Sequence, residues 1–224
     1  AGSSVKRALL ALLMLPLLSR VAVQPGMPER DMRLDSFALD VDPTPAPAAD
    51  LSSAIVVPLD DQPKAFRLTA AEDGVAFDID GDGATERVAW TEAGAGVAFL
   101  ALDTNGDGRI TSGRELFGSH MVPGVTNGCD ALLRTFEASG ALRSASVHSG
   151  HALYGRLLLW VDRNHAGRSQ RDELRPASDT LTAIGLGYTK MRGWDAHGNR
   201  VRWDGWVQQE RRFRPYYEVV LTVR

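Results

Sequence analysis

Residues 99–118 read FLALDTNGDGRITSGRELFG, and their centre sets Asp103, Asn105 and Asp107 at alternate positions with Gly108 directly after them. Acids crowded in this way repel one another unless a cation sits between them. Calcium takes roughly six to eight oxygens at about 2.3–2.6 Å, and an alternating D-x-N-x-D-G turn curls three side-chain oxygens toward one point while glycine permits the sharp bend. Counted from Asp103, the carbonyl of Arg109 falls at the seventh place and Thr111 at the ninth, where it would act through water. The twelfth place, where a bidentate acid is expected, is Arg114, and the acid comes one residue late as Glu115. Either the loop is stretched by one residue or Glu115 stays out of it. A helical turn opening near Gly113 would swing Glu115 inward and favours the stretched loop.

Two other stretches repeat the spacing. In FDIDGDGATERVAW, Asp78, Asp80, Asp82, Gly83 and Glu86 stand at places one, three, five, six and nine, and the strand-like RVAW follows where a helix would otherwise be expected. A strand-flanked ion loop and a solvated acidic turn both fit this stretch. In LWVDRNHAGRSQRDEL, Asp162, Asn164, Gly167 and Glu173 take places one, three, six and twelve. Ala166 stands at the fifth place, so this loop either binds with one ligand missing or folds as an empty turn. His165, at the outward-pointing fourth place, is assigned no role. The predicted ion is Ca2+, with no catalytic residue and no organic cofactor.

The loops need elements to position them. AIVVPL at residues 54–59 is a short β-branched run bounded by turn formers, and strands are predicted on both sides of residues 72–74 and of residues 93–96. Residues 129–142, CDALLRTFEASGAL, space Leu132, Leu133 and Phe136 along one helical face, with Asn127 and Gly128 as the entry. IGLGYTKM, RVRWDGWV and YYEVVLTV read as three antiparallel strands, the first two joined across residues 195–199. The expected class is α+β, with mostly short antiparallel strands and one or two short helices.

Organisation follows from composition. Lys6 and Arg7 precede ALLALLMLPLL, an apolar run too short to span a bilayer, so residues 1–24 read as an export signal. Residues 25–53, containing DPTPAPAAD, read as a Pro/Ala-rich tether, and residues 54–224 as the folded domain. Removing residues 1–24 leaves 22 basic residues against 28 acidic ones, a formal charge of −6. An acidic exported chain is a poor partner for phosphate backbones. The single Cys129 excludes an intramolecular disulfide and reads as a small buried hydrophobe. No G-x-S-x-G elbow, H-E-x-x-H pair, P-loop or dinucleotide fingerprint occurs, so no enzymatic chemistry is indicated. His148 and His151 could seed a zinc site but suit an exposed loop better.

From FRLTAAEDGVAFDIDGDGATERVAW through FLALDTNGDGRITSGRELFG and TNGCDALL to LLLWVDRNHAGRSQRDEL and IGLGY, the order of the pieces resembles a bacterial family of exported EF-hand-like calcium-binding proteins, related to segments that accompany RTX-type secreted proteins. The resemblance implies calcium binding without catalysis in a secreted or periplasmic protein. The family pattern would add a loop between the helix and LLLW, where this chain has ALRSASVHSGHALYG, so a central site is lost. An aromatic residue expected after Asn127 and Gly128 is replaced by Cys129. A second function fits the C-terminal tryptophans. Trp203 and Trp206, three apart on a strand, face opposite sides, so one could serve a carbohydrate- or protein-binding surface while calcium stays structural.

Overall fold

The computed structural model describes residues 51–60, 67–140 and 144–224. The export signal, all but the end of the tether, and the last part of the expected helix lie outside them. Strand β1 (Ser53–Pro58) begins one residue earlier than the sequence pattern suggests, with Ser52 and Ser53 already buried.

The strands that follow are β2 (Val75–Phe77), β3 (Glu86–Val88), β4 (Val97–Leu102), β5 (Ser146–His148), β6 (Leu157–Trp160) and β7 (Leu174–Pro176). They continue as β8 (Ala183–Gly185), β9 (Thr189–Trp194), β10 (Arg200–Gln209) and β11 (Arg212–Val220). One helix, α1 (Gly128–Ala138), interrupts them. Nine strands form one antiparallel sheet in the order β5-β8-β10-β11-β1-β4-β6-β7, with β9 also paired to β10, while β2 and β3 make a separate hairpin.

The α+β class expected from sequence does not hold. Of the described residues 38% lie in strands or bridges and 12% in helical turns, and the molecule is a mostly antiparallel β fold whose curled sheet forms a half-barrel with one helix. The reason lies beside the loops, where helices would have been needed. β2 and β3 flank the first loop, β6 and β7 the third, and β4 leads into the second, which ends in a single 3-10 turn at Gly113–Glu115.

Every residue of β4 is buried, and so is β1 except for its last position. Because successive side chains point to opposite faces, a strand buried throughout must be covered on both sides. Ile55, Val57, Leu100, Leu159 and Tyr216 face one core, which α1 covers with Cys129, Leu132 and Phe136. Val56, Phe99, Trp160 and Val219 face a second core, covered by Phe77 and Trp90 of the hairpin layer and by Ile110 of the second loop. In that second core Trp90 meets Phe99 at 4.5 Å and Phe77 at 4.9 Å between ring centroids.

The Asn127 side chain caps α1 by accepting the Asp130 N–H at 2.8 Å. The helix stops short of residue 142 because Gly140 turns into the left-handed region at φ +74. Cys129 is fully buried as expected, and burial pushes its thiol well above the ordinary range. The segment read as one strand, IGLGYTKM, breaks into β8 and β9, both paired to β10. The hairpin across residues 195–199 forms as expected, with Trp194 opposite Arg200.

Glu218 is fully buried on β11 and takes two bonds from Arg202 of β10, Nε at 3.1 Å and Nη2 at 2.8 Å. The same guanidinium donates to the Thr126 carbonyl at 2.6 Å, so one side chain joins the helix entry to the sheet. Removing one partner of such a pair strands the other charge in the interior. Arg202→Met is expected to cost about 3–5 kcal/mol. The double variant with Glu218→Leu should recover much of that loss in urea unfolding.

Candidate metal centre

Each of the three loops opens with an aspartate whose carboxylate turns back to accept a backbone N–H from the sixth place. Gly83 donates to Asp78 Oδ2 at 3.2 Å, Gly108 to Asp103 Oδ2 at 2.9 Å, and Gly167 to Asp162 Oδ2 at 2.7 Å. The three glycines sit at φ +96, +77 and +63, a left-handed conformation that side chains resist. The intervening residues repeat the same logic. Asp80 and Asp82 accept from Asp82 N–H and Ala84 N–H, and Asn105 and Asp107 from Asp107 N–H and Arg109 N–H.

The last acid of each loop closes it by accepting the N–H of the second place. Glu86 accepts from Ile79 at 3.1 Å, Glu115 from Thr104 at 3.4 Å, and Glu173 from Arg163 at 3.0 Å. Glu115 and Glu173 each also accept the N–H of the ninth place, from Thr111 at 2.9 Å and Gln170 at 3.2 Å. Glu115 therefore occupies the same part as Glu173 despite lying one residue further along. It is buried, while Arg114 stays exposed and donates from Nε to the Gly81 carbonyl of the first loop. The Thr111 hydroxyl donates to Glu115 at 3.1 Å.

The loops differ in what remains for an ion. One oxygen each from Asp78, Asp80 and Glu86 lies within 4.8 Å of the others, and among the described residues no other group of three acid, histidine or cysteine side chains is as tight. Asp78 Oδ1 is buried and has no hydrogen-bond partner among the described residues. A buried carboxylate oxygen without a donor fits a hard cation, and the donor set is all oxygen. In the third loop Asp162 is already engaged on both oxygens, because Ala166 N–H donates to Oδ1 while Gly167 N–H and the Trp90 indole N–H donate to Oδ2. Asn164 is exposed there, and nothing in the described residues bonds to its side chain.

The loops also hold one another. β4 and β6 are antiparallel, so the second and third loops leave the pair at opposite ends and meet over its face. There Ile110 N–H donates to Ser169 Oγ at 2.7 Å, and Ser169 returns a bond to the Ile110 carbonyl at 3.1 Å. Gly113 N–H donates to the Asp78 carbonyl at 2.8 Å, and a Cβ on Gly113 would lie 1.8 Å from the Ile79 carbonyl oxygen. His165 is not the idle outward residue its place suggested. Its ring nitrogens lie 2.7 Å from the Thr91 carbonyl and 2.8 Å from the Asp73 carbonyl, tying the third loop to the hairpin layer. Spacing alone carries no signal for His165, Trp90 or Ser169, because their partners lie far away in sequence.

His148 and His151 are spent locally, accepting the N–H groups of Gly150 and Leu153. Trp203 packs toward the helix-side core against Tyr188, and Trp206 stands on the other face, as two positions three apart require. The Trp206 indole lies over Gly185 and meets Phe213 edge-on, a packing role that needs no ligand.

A protein-family model, the SPM domain, matches residues 55–219, a span that runs from β1 to β11 and contains all three loops.

Glu115→Gln puts a donating amide where two N–H groups need an acceptor, and a loss of about 1–3 kcal/mol is expected. Arg114→Gln should cost less than about 1 kcal/mol, since its side chain is exposed. Denaturant unfolding in the presence of chelator measures both, and a reversed order would contradict the assignment of Glu115 to the loop interior.

Proposed function

The chain belongs to the SPM domain family, and we propose that it is a non-catalytic, exported calcium-binding protein whose loops hold Ca2+ to secure one face of the sheet. The observation that carries this is the convergence of Asp78, Asp80 and Glu86 with a buried, donorless oxygen on Asp78. Asp82 sits at the fifth place of the same loop. The second loop offers Asp103, Asn105, Asp107, the Arg109 carbonyl, Thr111 and Glu115, and takes second rank. The third, with Asp162, Asn164 and Glu173, takes last rank because its first aspartate already has three donors.

The resemblance to EF-hand-like exported proteins supports the same reading, as does the short apolar run at residues 8–18 for a secreted or periplasmic location. Among the described residues no helix is long and apolar enough to cross a membrane. Magnesium demands a tight octahedron and gives up water reluctantly, so these open oxygen turns suit calcium better.

Ion binding to the folded state alone adds stability by linkage, about 2.7 kcal/mol per site at 100 times the dissociation constant. For a domain of this size that is a rise of roughly 5–10 °C in the melting midpoint. Scanning calorimetry with calcium and with chelator should show it, and Asp78→Ala should remove the larger share. Superimposed melting curves would overturn the proposal.

A further inference from the structure

We propose that residues 36–42 of this same chain add a strand to the open edge of β9. Among the described residues β9 pairs with β10 alone, and its backbone makes no bond on the other side. The strands that end the sheet, β5 and β7, have three residues each, and β7 closes on a proline. β9 has six, Thr189–Trp194. An edge of that length presents a row of free N–H and C=O groups that an extended segment can take up.

The edge selects by face. Met191 packs against the second core, and Gly193 lies opposite Val201 of that core, so alternation turns Lys190, Arg192 and Trp194 to the other face. Lys190 and Arg192 are exposed. Two copies of β9 laid edge to edge would set these cations against one another, so the edge rejects a second copy of itself. It suits a strand with apolar side chains on the Met191 face and acids on the other.

Residues 36–42 read SFALDVD and carry that pattern, with Phe37, Leu39 and Val41 on one face and Asp40 and Asp42 on the other. Pro43 ends the run, since it has no N–H for a ladder. The edge is also within reach. One row of partners crosses the sheet as Ser53, Val220, Arg200 and Trp194, on β1, β11, β10 and β9. A strand outside β9 lies one spacing further, about 19 Å from β1 at roughly 4.8 Å per strand. Residues 43–50, with Pro43, Pro45 and Pro47, span about 25 Å as an extended proline-rich spacer. The segment therefore arrives with its C-terminal end beside Trp194 and runs parallel to β9. There Asp40 and Asp42 fall on the face of Lys190 and Arg192, while Phe37, Leu39 and Val41 widen the second core beyond Met191.

Hydrogen exchange of the chain from residue 25 onward, followed amide by amide, tests this against a synthetic peptide of residues 30–50. Alternate amides within residues 37–41 should exchange at least about tenfold more slowly in the chain than in the peptide, at every protein concentration. Lys190→Glu with Arg192→Glu should return them to the peptide's rate while the β10 amides stay protected. Adding Asp40→Lys with Asp42→Lys should restore the slow exchange. Peptide-like exchange in the parent leaves the edge to some other strand and overturns the inference. Slow exchange that survives the charge reversal, or that the swapped charges do not restore, overturns it as well. Protection that grows with protein concentration assigns the segment to a second copy and has the same consequence.

Discussion

Every loop on the hairpin-side face depends on one closure: the N–H of its second residue needs an acceptor, and the carboxylate of its last acid supplies it. Ile79, Thr104 and Arg163 donate to Glu86, Glu115 and Glu173 in turn. In the first and third loops that bond works beside the pairing of the flanking strands, β2 with β3 and β6 with β7. With it, the opening aspartate is brought beside the glycine N–H groups, and the acids are drawn together against their own repulsion. Backbone donors offset part of that cost. In the first loop they do not reach Asp78 Oδ1, which is where a cation would complete the balance.

The closures matter beyond the loops because the loops are a layer of the fold. Ile110 belongs to the second core, and Trp90, at the centre of its aromatic cluster, spends its indole N–H on Asp162. Sealing the loops and packing the aromatic rings are thus one process on this face. The helix-side face has its own fastening in Arg202, Glu218 and the Thr126 carbonyl.

Much of the loop chemistry was legible because its periodicity is local. Alternate acids followed by glycine specify a turn whose bonds span two to five residues, and the structure forms those bonds at Asp78, Asp103 and Asp162. The hairpin at residues 195–199 and the capped start of α1 were legible for the same reason. The fold class was not. β5, β6 and β7 have three or four residues each, too few to display a period, and β7 ends in a proline. The α+β expectation set the one helix at residues 129–142 beside the strands, and the strands outweigh it. His165 was misjudged because the fourth place is outward only relative to its own loop; here a hairpin layer stands outside that loop and receives it.

The displaced acid of the second loop shows how such a site tolerates an insertion. A register based on twelve places gives the terminal position to Arg114, and a strict spacing rule would declare the loop broken. The 3-10 turn at Gly113–Glu115 absorbs the extra residue, and it can do so because Gly113 passes so close to Ile79 that no side chain would fit. The arginine displaced outward is then used, bonding Gly81 of the neighbouring loop. The end of this loop is thus also a joint between two loops. The constraint that survives in all three is the pairing of the last acid with the second N–H, and not the count of residues that separates them.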